Sequence, residues 1–154
     1  MAATVEIIDA MVARLAARLP GLLVEYFPER PAEYRLNHPA GALLISYLSS
    51  QFAAPVDAGV VAQPRTLKLS VTVVLRQLNG RTGAVAVLDD VRRALVGYQL
   101  PDCRKLQAAG ERFLGQSAGL WQYAADFTAL AMQVEEDQAD ADPRITQVNH
   151  EEQP

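Results

Sequence analysis

The chain has 154 residues, half of them hydrophobic, which predicts a single domain with a buried core and leaves little room for a second domain. No run of about 20 apolar residues occurs, which excludes a membrane-spanning helix. Residues 1–20 contain the acids Glu6 and Asp9, and their apolar residues are periodic rather than continuous, which argues against a secretion signal. Seven acids and one base give residues 135–154 a charge of −6, so residues 1–134 carry +2 of the net −4, far less basic than a dedicated DNA-binding protein.

The first predicted element is a helix in TVEIIDAMVARLAARLP, with Thr4 as its N-cap and Pro20-Gly21 as its end. Its apolar positions recur at helical spacing and form one face, made of Ile7, Ile8, Met11, Val12, Leu15 and Leu19. Residues 22–27 read as a short strand. Three prolines make residues 27–42 a loop, and a loop of this length within a compact domain is usually functional or mobile.

Residues 42–52 predict a second strand, and residues 53–64 a further loop. Residues 65–78, RTLKLSVTVVLRQL, alternate apolar and polar side chains. This pattern predicts a strand with one face on a core and the other at least partly exposed to water. A helix follows over residues 83–96, with Thr82 as its cap and Gly97 at its end; its predicted apolar face is Val85, Leu88, Val91 and Leu95.

Residues 103–116 predict a strand with a glycine irregularity, 117–119 a turn, and 120–135 a long final strand, so the two strands form a hairpin. The order of elements predicts an α+β fold: a mostly antiparallel sheet with two α-helices packed on one face. The α+β domain is expected to span residues 1–135. Residues 136–154 form a separate acidic C-terminal tail with a composition typical of disorder.

The stretch LNGRTGAVAVLDDV, residues 78–91, places a glycine-bearing turn between a strand and a helix, a layout that many proteins use to bind phosphate. A P-loop needs lysine and then Ser or Thr after its second glycine, whereas Ala84 and Val85 follow Gly83. A dinucleotide fingerprint needs three glycines, and only Gly80 and Gly83 occur. The stretch therefore predicts a turn and a helix start, with no nucleotide cofactor.

No catalytic or metal-binding constellation emerges from the remaining polar residues, so no enzyme activity and no cofactor are predicted. Asp89 and Asp90 are adjacent on a helix and point about 100° apart, so they fit surface pairing with Arg93 better than a metal site. His38 and His150 are the only histidines, and their spacing supports no catalytic triad.

Two further features have a functional and a structural interpretation. Cys103 is the only cysteine, which excludes an intrachain disulfide, and it is expected to be a partly exposed, unreactive thiol. Trp121, Tyr123 and Phe127 at strand spacing fit a core or a subunit interface better than a platform for stacking bases.

Three segments carry a family resemblance. YFPERPAEYRLNHPAGALLISYLSSQF resembles part of the tail terminator (tail completion) proteins of Mu-like contractile-tailed bacteriophages. RTLKLSVTVVLRQLNGRTGAVAVLDDVRRALVGYQLP is similar to the next part of that family, and ERFLGQSAGLWQYAADFTA resembles its final hairpin. The three occur in the family's order, and the resemblance as a whole covers roughly residues 5–134, so the acidic tail lies outside it.

The resemblance implies a structural protein without enzymatic activity. Members of that family form a homo-hexameric ring on the tail tube protein, stop tube growth and present the surface to which the head joins. The expected partners are therefore the tail tube protein, the sheath protein and head–tail connector proteins, with DNA passing through the ring without specific binding and no membrane partner. The expected location is the head-proximal end of the virion tail, after assembly in the bacterial host cytoplasm.

A ring requires one face of each subunit to meet a different face of the next, and exposed loops, strand faces and aromatic residues are natural parts of it. The predicted subunit or partner interface comprises Tyr34, Arg35, Leu36, His38, Arg76, Arg81, Trp121 and Tyr123, with tail contacts through Ile145 and Val148. Two alternatives remain open: another head–tail connector or tail-tube protein, and a small cytoplasmic ligand-binding or regulatory domain with its ligand under the 28–41 loop.

Overall fold

The computed structural model describes residues 1–136, which contain two helices and one five-stranded sheet. The elements in chain order are α1 (Thr4–Arg18), β1 (Leu23–Tyr26), β2 (Gly41–Phe52), β3 (Ala62–Leu75), α2 (Ala84–Leu95), β4 (Gln107–Ser117) and β5 (Leu120–Val134), with a short 3-10 turn at Pro31–Glu33. The strand order is β1-β2-β3-β5-β4. β1 pairs with β2 in parallel and the other three pairings are antiparallel, which confirms the predicted α+β fold.

Both helices pack on one face of the sheet, here called the helix face, and the opposite face is called the open face. The main core lies between the helices and the sheet, and its largest buried side chains include Phe127, Met11 and Leu95. Arg14 joins the two helices, since its Nε donates to the Ala94 carbonyl at 2.9 Å and its guanidinium lies 4.4 Å from the centre of the Tyr98 ring.

The start of α1 differs from its prediction. Ala3 occupies the N-cap position, and the Glu6 carboxylate accepts a hydrogen bond from the Ala3 N–H at 3.3 Å. The Thr4 hydroxyl does not cap the helix, because it accepts a hydrogen bond from Arg65 Nη2 at 3.0 Å. The predicted apolar face is otherwise correct, with Ile7, Met11, Leu15 and Leu19 buried and Ile8 and Val12 partly buried against the core.

α2 also begins without a side-chain cap, and Gly83 occupies its N-cap position. The predicted cap, Thr82, instead donates to Gln77 Oε1 at 3.2 Å. Val85 was wrongly assigned to the apolar face and is 48% exposed. The helix instead buries Ala84, Val87, Leu88, Val91, Ala94 and Leu95.

β3 is the central strand and pairs along its length with β2 and β5. Its apolar series from Leu67 to Leu75 lies in the core, as alternation predicts. The opposite face is only partly as expected, because Lys68 is exposed while Ser70, Thr72 and Val74 are buried. The middle of the open face is therefore covered by other parts of the chain.

β4 and β5 form the predicted hairpin, whose turn places Ala118 and Gly119 at φ 53° and 78°. The predicted glycine irregularity is confirmed as two register shifts, one between Ala108 and Gly110 and one between Phe113 and Gly115. β4 begins at Gln107 rather than 103.

Cys103 lies in the segment that leads to β4. It is buried, with 4% of its surface exposed, rather than partly exposed.

Candidate functional site

The loop between β1 and β2 folds over the open face of the sheet. Tyr34 and Leu36 from this loop pack, together with Leu23 and Leu120, against a second apolar cluster of Ala42, Leu44 and Val74. Packing of these side chains explains why Val74, on the open face of β3, is buried.

Hydrogen bonds to Arg76 and His38 hold this loop in place. Arg76 donates from Nε to the His38 carbonyl at 3.1 Å and from Nη2 to the Leu36 carbonyl at 3.4 Å. His38 Nδ1 accepts from the N–H groups of Ala40 and Gly41 at 3.1 and 3.3 Å. Arg76 and His38 thus position the predicted interface loop, and Arg35 remains exposed on it.

A cavity of about 560 Å³ lies between this loop and the open face, lined in part by Tyr34, Arg76 and Gln122. The Tyr34 hydroxyl is buried without a hydrogen-bond partner. Burial, and then the negative charge of Glu25, raises the pKa of the Tyr34 phenol above its ordinary value of 10.0. The phenol is therefore neutral over the physiological pH range and keeps an O–H group that can donate a hydrogen bond.

The eight predicted interface residues do not form one surface. Trp121 and Tyr123 pack against the main core on the helix face, beside the exposed ring of Phe113, whose centroid lies 6.2 and 5.2 Å from theirs. Arg81 lines a different cavity of about 390 Å³ together with Arg18.

Four of the remaining five residues, Tyr34, Arg35, Leu36 and His38, belong to the loop on the open face, and the fifth, Arg76, follows β3 and donates hydrogen bonds to that loop. Whether any of the eight residues contacts a subunit or partner stays a prediction. Ile145 and Val148 lie outside the described residues, and so does nearly all of the predicted tail.

A charged cluster that sequence patterning did not indicate lies on the open face. Asp126 is 5% exposed, and its Oδ2 accepts from Arg112 Nη1 at 2.9 Å and lies 4.0 Å from Lys68 Nζ. Asp126 Oδ1 is buried without a hydrogen-bond partner. The available signal was an aspartate within the apolar β5 sequence. Recognising Lys68 as its diagonal neighbour on β3 required the β3–β5 register.

The two outer strands leave backbone groups unpaired at both edges of the sheet. β4 lies at one edge, and all of its residues except the half-buried Gly115 are exposed. β1 lies at the other edge and pairs only with Ala42–Ile45 of β2. Unpaired strand edges are ready to hydrogen-bond with another strand.

The glycine turn before α2 is occupied by the chain itself. The N–H groups of Ala84 and Val85, at the start of the helix, donate to the carbonyls of Gln77 and Leu78 at 2.8 and 3.2 Å. These are the groups that a phosphate at a helix N-terminus would use. The geometry agrees with the turn predicted from the sequence.

Other chemistry within residues 1–136 is sparse. No group of three or more His, Cys, Asp or Glu side chains that could hold a metal ion occurs there, and neither helix is long and apolar enough to cross a membrane. Burial raises the pKa of the Cys103 thiol above its ordinary 9.0, with opposing effects from Arg65 and Asp102. Asp90 pairs with Arg93 at 3.1 Å, the surface pairing that the sequence indicated.

Comparison with known families identifies the relatives of the chain. The model of the Gp37 protein family matches residues 11–152. The chain belongs to the Gp37 protein family. This match includes most of the acidic segment, whereas the resemblance drawn from sequence motifs ended at residue 134.

The fold of this Gp37 family member is shared with a chain in the virion of a native gene transfer agent particle. The two are 19% identical and superimpose with a TM-score of 0.52, covering 82% of this chain and 92% of the other. At this identity the similarity establishes the fold. No curated protein matches the sequence.

Proposed function

We propose that this Gp37 family member is a structural protein of a phage or phage-like particle that acts as the tail terminator. In this role it forms a homo-hexameric ring on the last ring of tail tube protein, stops tube growth and presents the head-joining surface. The observation that carries the proposal is the fold shared with almost the whole length of a chain from a gene transfer agent virion.

The sheet supports a ring in a second way. A closed ring requires two different, complementary faces on each subunit, and β1 and β4 leave two different edges of the sheet unpaired. The proposed partners are the tail tube protein, the sheath protein of a Mu-like contractile tail and head–tail connector proteins, with DNA passing through the ring without specific binding. The proposed location is the head-proximal end of the tail, and no enzymatic activity is part of the role.

Tail length in particles that lack the protein tests this function. Deleting the gene from the producing genome should give tubes of variable and excessive length without heads, seen by negative-stain electron microscopy, because nothing stops polymerisation. Complementation with the wild-type gene should restore a single length. Tails of normal length without heads would instead indicate another head–tail connector, and absence of tubes would indicate a tail-tube protein.

A ligand-binding or regulatory domain is the second candidate, and the cavity of about 560 Å³ under the loop favours it. Its size falls within the range of small-molecule sites, and the unpaired Tyr34 hydroxyl could orient a ligand. A screen of small molecules by thermal shift, with Tyr34→Phe as the matched control, separates the two functions. A ligand that stabilises the wild-type monomer but not the variant would support this second function.

A further inference from the structure

The edge strand β4 contains a short regular segment that can pair with another strand. Its two register shifts, at Ala108/Gly110 and Phe113/Gly115, leave Gly110–Phe113 as four regularly paired residues between them. The edge strand β1, Leu23–Tyr26, is also four residues long. Because bulges bend a strand and interrupt its ladder, they confine pairing at the β4 edge to this segment.

The directions of the two edge strands are compatible. β1 is parallel to β2, and three antiparallel pairings then lead from β2 to β4, so β4 runs antiparallel to β1. Copies placed side by side in a ring keep the same strand direction, so β4 of one copy meets β1 of the next as an antiparallel pair. A continuous sheet across each contact is thus possible without inverting any subunit.

The side chains of the two segments are also complementary. Arg112 lies on the open face, where it binds Asp126 through Nη1 and has further N–H groups to donate. Glu25 of β1 also lies on the open face, because it alternates with Val24, which packs on the main core. With Arg112 opposite Glu25 of a second copy, Phe113 faces Val24 on the helix face.

The helix face of the same register is mostly apolar, and its one charged side chain is paired within its own chain. Phe113 and Tyr26 are 52% and 54% exposed in the single chain, and this register makes them diagonal neighbours, which aromatic side chains can bridge. Glu111 would face Tyr26, and its charge is already paired with Arg92 of α2. Opposite charges on one face and apolar side chains on the other match what stabilises a cross-strand pair.

Pairing of β4 with β4 of a second copy about a two-fold axis fits less well. Side chains directly opposite must share a face, so the regular segment allows registers centred on Arg112 or on Glu111. The first places two arginines opposite each other and the second two glutamates, and like charges directly opposite are destabilising.

We propose that Gly110–Phe113 of β4 pairs antiparallel with residues 24–27 of a neighbouring copy, the last three residues of β1 and the residue that follows it, in the register that sets Arg112 opposite Glu25. This inference rests on the proposed ring and names the contact that would close it. The neighbouring strand would cover backbone N–H and C=O groups that the single chain leaves unpaired.

Site-specific crosslinking tests the register directly. In a Cys103→Ala background, one preparation carries Gly110→Cys, where an added Cβ meets nothing within 4 Å, and a second carries Phe27→Cys. The proposed register sets these two positions opposite each other and leaves Arg112 and Glu25 intact. A mixture treated with a short bismaleimide should give crosslinked dimers, and Val56→Cys, 66% exposed in the 53–61 loop, replaces Phe27→Cys in the control.

A second variant checks the contact without introducing cysteines. Phe113→Lys places a charge on an exposed position of the edge strand and removes only the ring contacts with Trp121 and Tyr123, so the urea midpoint of the monomer should fall only slightly. Association measured by light scattering should weaken about tenfold, because two or three cross-strand pairs are lost. Val56→Lys should leave association unaltered.

The outcomes separate the contact from the ring. A hexameric mass with no Gly110–Phe27 crosslink, or with Phe113→Lys still associating as tightly as wild type, would overturn the register while the proposed function stands. Crosslinked dimers without any ring would support the pairing and contradict the free ring. A chain that stays monomeric at every concentration and gives no crosslink would contradict both.

Discussion

Replacing Gly83 by alanine tests whether the glycine turn before α2 is a packing feature. An added Cβ would come closer than 3.0 Å to the carbonyl oxygens of Leu78 and Asn79, which are backbone atoms that no rotamer change can move. Overpacking of this kind costs about 1–3 kcal/mol, and alanine is also a poorer N-cap than glycine. We therefore expect Gly83→Ala to lower the free energy of unfolding by about 2–4 kcal/mol.

Urea denaturation followed by circular dichroism measures this change. Gly21→Ala is the matched control, because no atom lies within 4 Å of its added Cβ and its φ is not positive. That control should be neutral or stabilise the protein by up to about 1 kcal/mol through the unfolded chain. A loss below about 1 kcal/mol for Gly83→Ala would refute the packing argument, since the cap effect alone accounts for that much.

Three further predictions concern single side chains. Phe127→Ala should lower the free energy of unfolding by about 3–5 kcal/mol, because Phe127 is 1% exposed in the core. Phe113→Ala should lower that of the monomer by less than about 1 kcal/mol. Similar losses for the two variants would contradict the assigned core. Tyr34→Phe should be neutral or stabilising in urea at pH 7, because it removes a buried hydroxyl without a partner. Because the pKa of the Tyr34 phenol is higher in the folded than in the unfolded chain, its ionisation lowers the free energy of unfolding of the wild type as the pH rises above 10.0 through the folded-state pKa. Tyr34→Phe should therefore lose less stability than the wild type above pH 10.0, and equal alkaline losses would contradict the raised pKa. Cys103 should react with a disulfide reagent much more slowly in the native chain than in urea, because burial raises its pKa, and equal rates would contradict its buried position.

Periodicity predicted the elements and their order because it reports which side chains share a face. The alternation of β3 and the helical spacing in α1 each identified a buried face correctly. Both predicted helix caps were wrong for a common reason: the hydroxyls of Thr4 and Thr82 bind Arg65 and Gln77 instead of the helix N-terminus. Local capping rules cannot anticipate a partner that is distant in sequence, as Arg65 is from Thr4.

The surfaces were harder to predict than the elements. Arg76 holds the loop on the open face by donating to the carbonyls of His38 and Leu36. His38, whose carbonyl is the closer of the two, lies 38 residues from Arg76 in the sequence. Only this placement shows that Tyr34 and Trp121 lie on opposite faces of the sheet and cannot belong to one continuous patch. Likewise, the ion pair of Asp126 and Arg112 depends on a register shift in β4 that sequence spacing does not report.

The solution mass of the full chain tests the central claim most directly. Light scattering at several concentrations, with negative-stain images of the same samples, should show a closed ring of about 101 kDa, six times the 16.8 kDa of one chain. Added tail tubes should carry this ring at one end. A 16.8 kDa monomer at every concentration that also fails to bind tube ends would contradict the account.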